Sequence, residues 1–96
     1  MAKPELEPGI YEYKRKLFIY KGDTSEKELT KHPYFNVKIQ FPNGETKWTM
    51  EESSIISRAR KLDSEEIEAK IVSLSSGRQT KRISQLVDWL KENSSS

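Results

Sequence analysis

Apolar and polar positions alternate most clearly in "FNVKIQFPNGETKWTM", residues 35–50. Val37, Ile39 and Phe41 alternate with Lys38 and Gln40, and then "PNG" reverses the chain. Pro42 presets the φ of a type I turn, Asn43 suits the next position, and Gly44 can take the left-handed bulge conformation. On the return, Thr46, Trp48 and Met50 alternate with Lys47 and Thr49. The pattern predicts a hairpin of strands at 37–41 and 45–50. Upstream, "IYEYKRKLFIY" (10–20) is rich in aromatic and β-branched residues and reads as one long strand. Its alternation places Tyr11, Tyr13, Arg15, Leu17 and Ile19 on one face, the expected core side because it ends in two aliphatics. Ile10, Glu12, Lys14, Lys16, Phe18 and Tyr20 fall on the other.

Helical spacing takes over in the second half. "KGDTSEKELTKHP" (21–33) is a polar connector with a helical turn after Thr24. Thr49 and Glu52 have the T-x-x-E spacing of a capping box, and Ile55, Ile56, Ala59 and Leu62 follow as an apolar stripe. These residues predict a helix at roughly 50–62. The next segment, "SEEIEAKIVSL" (64–74), alternates like a strand from Glu66 to Ile71. Helix is favoured by Asp63 as a cap, by acids in the first turn, and by Ile67, Ile71 and Leu74 at i, i+4, i+7, with Gly77 as the stop. A last helix begins at about Thr80 on Ile83, Leu86, Val87 and Leu90. The expected fold is α+β: a small antiparallel sheet of about three strands (10–20, 37–41, 45–50) with two or three helices (50–62, 64–74, 80–92) on one face. Its core draws on Val37, Ile39, Phe41, Trp48, Ile55, Ala59, Leu62, Ile83, Leu86 and Leu90.

Composition narrows this picture. With 96 residues, 33% of them hydrophobic and 33% charged, the chain has material for one lean core. The expected organisation is a flexible lead at 1–9, a single domain at 10–92 and a disordered tail at 93–96. There is no cysteine, which excludes disulfides, thiolate chemistry and Cys-based metal sites. No stretch approaches the roughly 20 apolar residues of a membrane span, and "MAKPELEPG" lacks the apolar core of a signal peptide. The expected location is intracellular, with nucleus and cytoplasm not distinguished. A net charge of +2 is too small for general attraction to nucleic acid, so any basic patch is local.

The most local concentration of charge is in "SSGRQTKRISQLVDWLKE" (75–92), where Arg78, Lys81 and Arg82 crowd a helix N-terminus. The macrodipole is positive there, and free backbone N–H groups make a ready anion site that Arg and Lys strengthen. Gly77 and the hydroxyls of Ser75, Ser76 and Thr80 add to it. The alternative is a solvated loop whose cations tolerate a penalty of about 0.3–1 kcal/mol each. "AKIVSLSSGRQTKRISQL" (69–86) resembles the first two helices of a helix-turn-helix module of the transposase or response-regulator sort, through Ile71, Val72, Leu74, Gly77, Ile83 and Leu86. That resemblance implies a third, groove-reading helix. Only "VDWLKENSSS" follows, so no recognition residues are carried over.

A second candidate is the strand face with Lys14 and Lys16 beside Phe18 and Tyr20, a basic–aromatic alternation that holds phosphates and stacks bases. Against it, small-domain aromatics mostly pack, and a change of register reverses the faces. Arg58, Arg60 and Lys61 suit a helix C-terminus. Trp89 is an interface candidate or a core residue, and Trp48 a core residue. His32 has no partner at metal or triad spacing, and Glu51–Glu52 and Glu65–Glu66 are explained by helix capping, so no catalytic residue, metal or cofactor is expected. Two functions follow. One is nucleic-acid binding through Arg78, Lys81, Arg82, Thr80, Gly77, Lys14 and Lys16. The other is docking of an acidic or apolar protein partner, with no membrane and no small-molecule substrate in either case.

Overall fold

The structure, a computed structural model, describes residues 5–78 and 80–94. In chain order its elements are strands β1 (Gly9–Tyr13) and β2 (Lys16–Tyr20), helix α1 (Glu26–Lys31), strands β3 (Val37–Gln40) and β4 (Thr46–Thr49), helix α2 (Ser54–Ser57), strand β5 (Arg60–Lys61), and helices α3 (Ser64–Ser76) and α4 (Lys81–Ser94). The α+β class and the antiparallel sheet hold. The sheet has five strands rather than about three, in the order β4-β3-β2-β1-β5. By contacts the chain forms two compact units, Met1–Lys61 and Leu62–Ser96. Of the expected lead and tail, residues 1–4 and 95–96 lie outside the described residues. Leu6 packs against the core, Gly9 opens β1, and α4 reaches Ser94.

The segment 10–20 is a hairpin, not one strand. Tyr13 pairs with Lys16, leaving Lys14 and Arg15 as a two-residue loop with φ of 47° and 68°. Two positive φ values closing a two-residue hairpin define a type I′ turn, which ordinarily carries Asn-Gly. Holding Lys and Arg there costs of order 1 kcal/mol each, and nothing in their chemistry announces a reversal. The turn inverts every face beyond it. Residues 13 and 16, on opposite sides of a continuous strand, become cross-strand neighbours on one side. Tyr11 therefore faces the core together with Phe18, its cross-strand partner, and Tyr20 rather than with Leu17 and Ile19.

The "PNG" hairpin forms as its residues dictate. The Phe41 carbonyl accepts from the Gly44 N–H at 3.0 Å, the Phe41 N–H donates to the Glu45 carbonyl at 2.8 Å, and Gly44 has φ of 90°. A three-residue loop of this kind pairs odd residues with odd ones: Val37 with Thr49 and Ile39 with Lys47. Trp48 consequently lies opposite Lys38, on the face away from Val37 and Ile39, and is half-buried. This corrects its expected place in the core beside those residues. His32, the C-cap of α1, stacks on the Trp48 ring at 3.9 Å, and Glu28 of the same helix pairs with Lys38 at 3.3 Å. Helix α1 thus covers the Trp48 face at β3–β4.

The opposite face carries the core cluster of Tyr11, Phe18, Tyr20, Val37 and Ile39, completed by Ile56 of α2. The first unit therefore has helices on both faces of its sheet, not on one. Helix α2 is also one turn long where a helix over 50–62 was expected. Thr49 remains in β4, and its hydroxyl donates to Ser53 Oγ at 2.8 Å instead of capping a helix. Beyond α2, Arg60 and Lys61 add to the edge of β1, opposite Glu12 and Tyr11. Residues 64–74 resolve as helix: Asp63 and Glu66 form the reciprocal capping box of α3.

Tyr11 and Tyr20, 5% exposed each, give the fold an alkaline limit. Burial raises the Tyr11 phenol above its ordinary value of 10.0, helped by Glu7 and by Tyr20; burial raises Tyr20 as well, helped by Glu51 and Asp23. The folded state thus favours the neutral phenol. That stabilisation is complete below about pH 10 and is lost as pH rises through 10 toward the higher folded-state values. Urea midpoints should stay level to about pH 9 and fall above 10, with a smaller fall in Tyr20→Phe. A level midpoint through pH 11 would contradict it.

Candidate functional site

The second unit is a helical hairpin whose charges separate along its length. Acids gather at the start of α3, where the Asp63 carboxylate accepts from the Glu66 N–H at 2.8 Å and Glu65 sits beside them. The last acid of α3, Glu68, precedes Ser76 by eight positions, or about 12 Å of helix, beyond a Debye length of ~8 Å at physiological salt. The linker and the first turn of α4 contain no acid, only Arg78, Lys81 and Arg82. The cationic end is therefore electrostatically separate from the acidic end.

Gly77 ends α3 in an extended conformation, φ −87° and ψ −175°, which any residue can adopt. An added Cβ would meet only the Ser73 carbonyl at 3.6 Å, so neither backbone shape nor space requires glycine here. Thr80 caps α4: its Oγ1 accepts from the Ile83 N–H at 3.4 Å and its carbonyl from the Ser84 N–H at 3.1 Å. The N–H groups of Lys81 and Arg82, in the first turn, have no intrahelical acceptor by construction. The Ser75 and Ser76 hydroxyls donate back to the Ile71 and Ser73 carbonyls at 2.7 and 3.3 Å. Arg78, Thr80, Lys81 and Arg82 are all exposed. Ion pairs join Lys38 to Glu28, Arg60 to Glu12 and Lys61 to Glu7, and none of these involves the three cations.

The basic–aromatic strand face does not form. Lys14 lies in the β1–β2 turn and Lys16 at the first position of β2, both exposed. Phe18 and Tyr20 are buried, and Phe18 stacks on Tyr11 with centroids 5.5 Å apart. Neither ring has a free face for a base. Trp89 is buried as well, at 6% exposure, and is no exposed anchor. Its Nε1–H has no acceptor among the described residues. Arg60 and Lys61 are tied to Glu12 and Glu7 at 3.6 and 3.0 Å, so only Arg58 of that trio lacks a described carboxylate partner. His32 is held by its stack on Trp48, and no three His, Asp or Glu side chains converge as a metal group among the described residues.

The run Lys14–Arg15–Lys16, expected as a solvated strand edge, instead forms a turn: Lys14 and Arg15 close it and Lys16 opens β2. Tyr34 is 77% exposed, and Phe35 and Met50 are 38% and 36% exposed. The pairing of Val37 with Thr49 and a 3.3 Å bond from Asn36 Nδ2 to Glu51 Oε1 run the two segments side by side, next to the edge strand β4.

No protein family, curated protein or solved structure matches the chain. Helices α3 and α4 pack against each other. No helix among the described residues is long and apolar enough to cross a membrane.

Proposed function

We propose that this protein binds nucleic acid, with Arg78, Lys81 and Arg82 at the entrance of α4 on backbone phosphates. The observation that supports the reading is a cluster of three exposed cations with no described ion pair, at a helix start free of acids. Phosphates along this helix start would meet guanidinium or ammonium groups, free first-turn N–H groups and the positive end of the macrodipole. Three neutralised duplex phosphates contribute about −2.7 to the slope of log affinity against log salt, a loss of roughly 40-fold between 50 and 200 mM. The triple variant Arg78→Ala/Lys81→Ala/Arg82→Ala should lower the slope by about that amount. A duplex, a single strand and an RNA hairpin serve as probes. Wild-type affinity in the triple variant, or no binding to any probe, removes the reading.

A second reading, a protein-interaction module, is favoured by the exposed apolar side chains Tyr34, Phe35 and Met50 beside the ends of β3 and β4. Its mark is binding that hardly varies with salt, ignores nucleic acid and is lost in Tyr34→Ala/Phe35→Ala.

A further inference from the structure

We propose that the β1–β2 turn is a second phosphate contact, made by Lys14, Arg15 and Lys16; the inference rests on the nucleic-acid reading above. A two-residue loop with φ of 47° and 68° is the conformation that Asn-Gly adopts without strain. This chain holds it with Lys-Arg, so turn stability does not explain the residues, and strained backbone kept in place points to a role for the side chains. All three side chains are exposed, and none is in a described ion pair. The nearest acid on the hairpin, Glu12, faces Arg60 at 3.6 Å. Lys14 Nζ lies 5.5 Å from the Tyr13 ring centre, a cation–π contact that steadies the stem.

Topology carries the tip outward. Strand β3 pairs with β2 only at Ile19 and Tyr20, and β5 pairs with β1 only at Tyr11 and Glu12. Among the described residues no third strand lies beside the ribbon from Tyr13 to Leu17, and it ends in three adjacent cations. A narrow two-stranded ribbon is a shape that a nucleic-acid groove accepts, and its tip reaches backbone phosphates. A single carboxylate matches one of these cations; a strand of phosphates matches all three.

The test is Lys14→Asn/Arg15→Gly, which installs the turn's preferred residues while removing two charges. Its Tm should rise by several degrees, so any lost binding is not lost folding. Its salt slope on the duplex should fall by about 1.8. The charge-matched control Lys27→Gln/Lys31→Gln, on exposed positions of α1, should keep nearly the wild-type slope. Unchanged binding in the turn variant overturns this contact. If the triple variant at 78, 81 and 82 loses binding in the same assay, the helix-entrance reading survives that failure. A slope lowered by the turn variant but not by the triple variant supports the turn contact and removes the helix entrance instead. Equal loss in variant and control, or stronger capture on anionic phospholipid vesicles than on any nucleic acid, also overturns the assignment.

Discussion

Phe18→Ala is expected to remove roughly a third or more of the protein's stability and to lower its urea midpoint sharply. Phe18 is fully buried, lies against the Tyr11 ring at 8° between planes, and sits in the cluster that joins β1, β2, β3 and α2. Truncating such a ring costs about 3–5 kcal/mol, the transfer of the ring plus the cavity left behind. A 96-residue chain has only roughly 5–10 kcal/mol in total. Lys16→Ala, two positions away on the same strand but exposed, should change stability by no more than ~0.5 kcal/mol. Urea unfolding followed by circular dichroism compares them. A Phe18→Ala midpoint close to that of Lys16→Ala would mean that the ring is not in the core.

That pair of variants also separates the fold from the one-strand reading of 10–20. A continuous strand puts Lys16 and Phe18 together on the outer face, where both truncations are mild. The one-strand reading failed at two residues. Turns are legible when their chemistry is special, as at Pro42–Asn43–Gly44, where proline and glycine each supply a required φ. Lys14 and Arg15 supply neither, and the reversal is imposed by pairing across the sheet. Trp48 shows a subtler case. Its face was implicit in the three-residue loop, because such a loop matches odd with odd; alternation taken strand by strand discards that parity.

The two capping-box spacings show what local sequence cannot rank. Thr49/Glu52 and Asp63/Glu66 look alike, yet only the second caps a helix. Thr49 is buried in β4, where strand pairing with Val37 outcompetes a local cap. Strand β5 was illegible for the same reason: two residues become a strand only because the β1 edge is open to them. At the helix entrance the sequence was informative because the relevant property, cations without nearby acids, is itself local. The side-chain exposure of Phe18, Tyr20 and Trp89 is not local, and there the reading failed.

Leu90→Ala should produce the largest loss in the helical hairpin. All the buried side chains of its two helices are on α4, namely Val87, Trp89 and Leu90, and Leu90 is fully buried. Removing its isobutyl group costs about 2–5 kcal/mol. Helix α3 has no buried residue, and Val72 is 63% exposed, so Val72→Ala should cost no more than about 0.5 kcal/mol. The asymmetry has a dynamic counterpart. A helix without fully buried side chains opens at a lower free energy than its neighbour, so α3 amides should exchange with solvent faster than those over Val87–Leu90. The cations sit where the two meet, between a weakly held helix and a firmly held one. If phosphate binding at the α4 entrance orders that junction, a short duplex should slow exchange at the end of α3 in wild type but not in the triple variant. Equal protection of both helices in the free protein, or a Leu90→Ala loss as small as that of Val72→Ala, would contradict this division of stability.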